Sequence, residues 1–434
     1  MSQLHLDRYG LAFTTPSLAA AGAYLDGVDR LLAADDGAGQ AMQTAIDFDP
    51  GFALAQIGLA RAHQIGGNGA AAKAAVAAAV PLCEALPSRE RGHVQTLAAV
   101  VLGQPEALAL VKRHIGDYPK DALVLAPGVA VFGLIGFSGR QDRNQETLAW
   151  MQSLASHYAN DWWFGAWFGF LHTETGRFAE GRAIVERAFA NNPRNANAAH
   201  ALAHVCYEAG GAQAGRDFLA AWLPRYSTGA PLHCHLSWHQ ALFEFELGQS
   251  ERAWQLFGRA VRPSVAVQAP PINALTDAAS LLWRATLLGQ QAPLDVWQET
   301  SGFAHTHFPQ GGADFVDAHA AMAAVGARDG EALQKITSRL QTTKARSGDL
   351  LLQLTQALCA YGRAEWQHVI ELLEPYADEL IRVGGSGAQR DVFEHTLLSA
   401  YIRDGRANDA RAWLRSRPTR PRNTDDHVIK RLGG

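Results

Sequence analysis

The feature that most constrains the fold is a recurring helix–turn–helix unit with small residues at fixed places. Its clearest copy runs from Trp162 to about Asn195 and reads WWFGAWFGFLHTETGRFAEGRAIVERAFANNPRN. With Pro193 at position 32 of a 34-residue unit, Gly169 falls at 8, Gly176 at 15, Gly181 at 20 and Ala188 at 27. Small side chains are needed there because two antiparallel helices approach closely. Gly176 stands where the first helix must stop. Pro193 ends the second helix and aims the next. One such hairpin cannot bury its own apolar face, so its neighbours must stack on it.

Related punctuation recurs. AGGAQAGRDFLAAWL follows Ala199–Glu208, ELGQSERAWQLFGRAV follows Ser237–Phe245, and IRDGRANDARAWL follows Leu397–Tyr401. An earlier unit spans Gly51–Val80, and strand-like alternation is scarce. A period near 34 residues is that of tetratricopeptide-type hairpins. The expected fold is an all-α solenoid of degenerate units of this kind, curved around a central groove or pocket. It is read as one continuous domain over 1–434, with early hairpins in 17–125, the clearest repeats in 162–262 and later hairpins in 273–417. The array is irregular. Gly176, Gly210 and Gly248 are spaced 34 and then 38 residues apart, and segments near Pro127 and from Pro263 to Pro271 break the period.

Composition narrows the function classes. Hydrophobic residues make up 48% of 434, enough for a large interior. The formal charge of -4 offers no attraction for nucleic acid or an anionic membrane. Arg411, Arg415, Arg417, Arg420 and Arg422 form a basic run that reads as a solvated helix end and tail. Met1–Pro16 has no signal-peptide pattern, and no apolar stretch reaches membrane-spanning length. Cys83, Cys206, Cys234 and Cys359 form no CxxC pair, which fits a reducing, cytoplasmic setting.

The chemistry concentrates in histidines. His200 and His204 are four apart, as are His235 and His239, and the pairs are 35 residues apart. Spacing of four puts both members of a pair on one helix face, and the 34-residue register puts that face on the concave wall of successive hairpins. The same register adds Trp163 and Phe170, and Trp238 adjoins His239. Three readings compete: histidines satisfied within a core, a wall for a peptide or small-molecule ligand, and a metal site. No cofactor is assigned, and a divalent metal such as zinc or iron on His200, His204, His235 and His239 is the alternative. Glu208 would extend the first stripe.

More distant groups are candidates for the same wall. Asp317 and His319 are two apart, a spacing usable together only at a helix start. GGSGAQRD at Gly384–Asp391 opens a helix and could hold an anion with help from Arg390, although a plain interhelical loop is the simpler account. Asp277 and Arg284, seven apart, read as an ion-pair network that could include Asp391. Cys234 adjoins His233 and His235, but neighbouring helical residues diverge by about 100°, so adjacency makes no dyad.

HALAHV at His200–Val205, CHLSWHQAL at Cys234–Leu242, Asp277 with Trp283-Arg284, FVDAH at Phe315–His319 and GGSGAQRDVF at Gly384–Phe393 resemble the tetratricopeptide repeat protein 38 family over nearly the whole chain. The family usually has an acid directly after the HxxxHxx stretch, where this chain has Tyr207 and then Glu208. The resemblance implies a helical-repeat fold and no established reaction. The expected function is therefore a repeat protein whose groove binds a peptide or a small molecule. The ligand-binding candidates are His200, His204, His235, Trp238, His239, Trp163, Asp317, His319, Arg390 and Asp391, and no catalytic residue is assigned. A small-molecule enzyme using the histidines for acid–base or metal chemistry is the alternative.

Overall fold

Local rules place the helices. Asp161 accepts from Trp163 N at 3.0 Å and Phe164 N at 2.8 Å, capping one helix. Asn195 accepts from Asn197 N at 3.0 Å and caps another. In the computed structural model, which describes residues 3–343, 345–416 and 425–433, the chain is all-α and 72% helical, with 23 α-helices. Arg417, Arg420 and Arg422 of the basic run lie outside the described residues. No described helix is long and apolar enough to cross a membrane.

The helices that surround the site are, in chain order, α1 (Ala53–Ile65), α2 (Trp162–Glu174), α3 (Phe178–Asn191), α4 (Ala196–Glu208), α5 (Ala212–Trp222), α6 (His233–Glu246), α7 (Pro271–Leu287), α8 (Asp314–Ala327) and α9 (Gly387–Arg403). The pairs α2–α3 and α4–α5 are the hairpins expected from the repeat. A Cβ on Gly181 would lie 2.8 Å from Gly169 O, so the small residues at positions 8 and 20 mark the helix crossing. Gly176, Gly210 and Gly248 each hold a positive φ at the turn after a first helix.

One element was not expected. Gln3–Leu6 (β1) and Ala12–Thr15 (β2) form an antiparallel hairpin, with Leu6 opposite Ala12. Phe13 pins it by stacking on Phe52 and tilting against Tyr24. Glu90, from the helix Ser88–Val101, accepts from Thr14 N at 3.0 Å.

Two hydrophobic cores run through the stack, one centred on the first half of the chain and one on the second. Helix α4 serves both: Ala201 and Leu202 pack into the first, Ala203 and Cys206 into the second. The stack curls until distant segments meet. Arg143 donates to the Ile381 carbonyl at 3.0 Å and also to Gly385 O. Arg382 Nε donates to Gly139 O at 3.0 Å, and Asn197 to Leu32 O at 2.9 Å. This closure turns the expected groove into a cavity that stays partly open to solvent.

Candidate functional site

Helices α4 and α6 bring the two histidine pairs together. His200, His204, His235 and His239 each offer a ring nitrogen, and these four atoms lie within 4.8 Å of one another. His200 Nε2 is 3.0 Å from His204 Nε2 and 3.1 Å from His235 Nε2. All four rings are buried, and His204 and His239 are 0% exposed. Neither nitrogen of His239 has a hydrogen-bond partner.

What stands behind the rings decides their tautomers. His235 Nδ1 is 2.9 Å from Asp277 Oδ1, on α7. His204 Nδ1 is 3.4 Å from Glu174 Oε1, at the end of α2. That second contact is loose, but neither atom has a hydrogen-bond partner of its own. Each carboxylate favours a proton on the Nδ1 that faces it, which leaves the Nε2 lone pair pointing inward. His200 can place at most one proton between the two lone pairs it touches. The centre is therefore rich in lone pairs and poor in protons. Burial, and then His204 and His235, push the His200 imidazole far below its ordinary range. Burial and the other three histidines do the same to His239.

The carboxylates are themselves held. Burial alone would raise the Glu174 carboxyl, but His204, Arg390 and the Gly387 N–H outweigh it and bring it down to about 2. Gly387 N donates to Glu174 Oε2 at 2.8 Å, and Arg390 Nη2 stands 4.0 Å away. The helix start at Gly384–Asp391 thus does hold an anion, and the anion is the protein's own Glu174. Ser386 and Gln389 close a capping box there. Asp277 is pushed up by burial and drawn back by His235.

Aromatic rings wall the cluster. Phe170 stacks on His200 with centroids 5.8 Å apart and meets His204 edge-on at 4.9 Å. Trp238 stacks on His235 at 5.2 Å and donates through Nε1 to Ser280 Oγ at 2.9 Å. Beside the cluster lies a cavity of about 500 Å³, lined by His200, His235, Trp163, Trp167 and Gln389 among others. Both segments that break the repeat period contribute to its wall, through Phe132 and Phe137 after Pro127 and through Gln268 and Pro270.

Other expected residues stand elsewhere. Asp317 accepts from Gly312 N at 3.0 Å and Arg339 at 2.9 Å, tying down the start of α8. His319 is buried, with Nδ1 2.7 Å from Phe315 O and its ring against Phe393. Arg390 acts on Glu174 from behind, and Asp391 is buried on α9 away from the cavity wall. Trp238 backs His235 without lining the cavity. Asp277, read from spacing as a partner for Arg284, serves His235; Arg284 donates to Ala388 O at 2.6 Å. Glu208 is not among the four clustered ligands. Cys234 is buried with Sγ 3.8 Å from Asp277, and burial pushes its thiol well up, so it supplies no ready thiolate.

Glu174 escaped the sequence reading, yet a signal existed. It lies 34 residues before Glu208, one repeat earlier on the same stripe. A second buried group, His93, His114 and Asp121, also escaped. Asp121 Oδ2 lies 2.9 Å from both rings and 3.1 Å from Arg89. Here the carboxylate sits between the rings, and the arrangement reads as an internal ion cluster.

No protein-family model matches the chain. The fold and the site together define an all-α repeat protein with a buried four-histidine centre beside a cavity of about 500 Å³.

Proposed function

We propose that this protein is a metal-dependent enzyme for a small organic molecule, with one divalent ion such as zinc or iron on His200, His204, His235 and His239. The observation that carries the reading is that His200 Nε2 stands 3.0 Å from His204 Nε2 and 3.1 Å from His235 Nε2, while Glu174 and Asp277 stand behind the latter two rings. Nitrogens about 2.0–2.1 Å from a common zinc stand roughly 2.9–3.4 Å apart, depending on coordination geometry. Without a cation, inward lone pairs at such distances repel. A carboxylate behind a ligand histidine fixes its tautomer and raises its basicity. The unpartnered nitrogens of His239 supply a further ligand.

The adjoining cavity supports a small substrate, because its volume of about 500 Å³ suits a metabolite. A metal there would polarise an oxygen of the bound molecule as a Lewis acid. The chain's own residues hold the ligand nitrogens, exclude water behind the cluster and line the cavity with aromatic surface. A tetratricopeptide-type architecture of the protein 38 family remains the family assignment proposed from sequence.

Elemental analysis of purified full-length protein, before and after dialysis against a chelator and reloading with zinc, tests the reading. One ion per chain is expected, with a higher melting temperature when loaded and loss of the ion in His204→Ala. A folded protein that takes up no zinc, iron, manganese, cobalt or nickel overturns it.

A further inference from the structure

The cavity wall opposite in sequence to the histidines carries an unmatched cation. Arg61, on α1, lines the same cavity as His200 and His235. Its Nε is shut off from solvent and has no hydrogen-bond partner. Among the described residues no carboxylate forms an ion pair with it. Its one side-chain partner is the neutral Gln64, whose Oε1 accepts from Arg61 Nη1. Gln64 is aimed by its own bond from Nε2 to Val100 O at 3.1 Å. Burial alone lowers the guanidinium to about 10.

The nearby charges do not answer it. Arg30, also on the wall, is neutralised by Asp26 at 2.8 Å. Asp35 pairs with Arg194 at 2.7 Å, and Asp36 accepts from Ser227 at 2.7 Å. A second wall residue shows the same sign of vacancy. Gln389 spends Oε1 on Ser386, while its Nε2 is buried without a partner. Both unmatched side-chain atoms on this wall are N–H donors. Around them the surface is aromatic, with Trp163, Trp167, Phe132 and Phe137.

A guanidinium partly withdrawn from water with no counter-charge destabilises a fold, so a ligand that neutralises it gains what the protein forgoes. We infer that Arg61 is the anion anchor of the cavity and that the substrate is an organic acid, a carboxylate or phosphate on an apolar, ring-sized body. The inference rests on the cavity being the substrate site of the proposed metal centre. Arg61 grips the acid, Gln389 adds a neutral donor, and the aromatic wall takes the apolar body. The polar end that remains faces His200 and His235.

Calorimetry on zinc-loaded full-length protein, with phenylacetate, phenyl phosphate and the neutral phenylacetamide as probes, tests this. At least one anion is expected to bind, at least ~10-fold tighter than the amide. Arg61→Met and Gln389→Glu should each weaken that anion at least ~10-fold and leave one zinc per chain. Arg61→Met should melt no lower than wild type, since an unpaired cation is gone; if it fails to fold, Gln389→Glu carries the test. Equal binding of anion and amide, no binding of either anion, or an Arg61→Met protein that holds the anion as well as wild type overturns the inference. Zinc content, measured on the same samples, separates that outcome from failure of the metal site itself.

Discussion

Glu174 Oε1 and His204 Nδ1 face each other across neighbouring hairpins, 3.4 Å apart and both buried. The rest of Glu174 is tied to the start of α9 through Gly387 N. One carboxylate thus joins the start of α9 to the histidine centre. It fixes which His204 nitrogen carries the proton, and so which one faces inward.

Glu174→Gln tests that role. The amide keeps nearly the same volume and can still accept from Gly387, but the negative charge behind His204 is lost. Removing such an outer partner typically lowers metal affinity about 10–100-fold. A competition titration between the protein and a zinc-binding dye should show a loss in that range for Glu174→Gln, and a similar one for Asp277→Asn. Wild-type affinity in both variants would mean that the carboxylates do no more than pack.

His239 should show the opposite balance between stability and binding. Both of its nitrogens are buried without partners, and each unsatisfied polar atom costs about 1–3 kcal/mol. His239→Leu removes that cost at similar volume. The metal-free variant is expected to be at least as stable as metal-free wild type in urea, and to gain less on adding zinc. A variant several kcal/mol weaker without metal would show that the ring is held by something other than a ligand role.

The sequence disclosed the parts of this site that follow from periodicity. His200, His204, His235 and His239 were legible because spacing of four fixes a helix face and spacing near one repeat fixes the neighbouring helix. Phe170 and Trp163 came from the same register. Glu174 was legible only through its repeat spacing to Glu208, and the partnership of Asp277 with His235 was not legible, because it is made across a helix–helix contact that no local pattern encodes. The seven-residue spacing pointed Asp277 toward Arg284, and the contact that spacing could not show is the one to His235. The glycine-rich turn read more simply as a plain interhelical loop, yet its Gly387 N–H and Arg390 face an anion, the Glu174 carboxylate of α2. Arg61 gave no signal, since a lone arginine near a helix end is ordinary until the curled stack sets it on the cavity wall. The β1–β2 hairpin is too short, at four residues a strand, for alternation to stand out.

The helix crossing at Gly169 and Gly181 makes a stability prediction with an internal control. A Cβ on Gly181 would fall 2.5 Å from Thr173 Oγ1 and 2.8 Å from the Gly169 carbonyl, and backbone cannot step aside cheaply. Overpacking of this kind costs about 1–3 kcal/mol, against a gain of about 1 kcal/mol from alanine's helix propensity. Gly302, exposed in the helix Leu294–His307, has open space where its Cβ would go. Urea denaturation should therefore find Gly181→Ala destabilised and Gly302→Ala stabilised by up to about 1 kcal/mol. The same sign at both positions would contradict the close crossing.

Acid sensitivity should be traceable to His319, which lies outside the four-histidine cluster. Its ring is 0% exposed, its Nδ1 meets Phe315 O, and its Nε2 has no partner. Burial lowers the imidazole to about 4, with Phe315 O opposing and Arg284 adding to the effect. Above an unfolded value of about 6.5 the ring is neutral in both states and contributes nothing to the pH dependence. As pH falls from there to about 4, the unfolded chain takes a proton that the folded chain refuses, so stability declines by about 1.4 kcal/mol per pH unit and levels off below. The total is about 3 kcal/mol. His319→Leu removes this titration, although it also forfeits the bond to Phe315. Its stability relative to wild type, measured with urea in metal-free buffer, should improve by about that amount between pH 7 and pH 4. A difference that stays constant with pH would show that the folded protein accepts the proton at His319 as readily as the unfolded chain does.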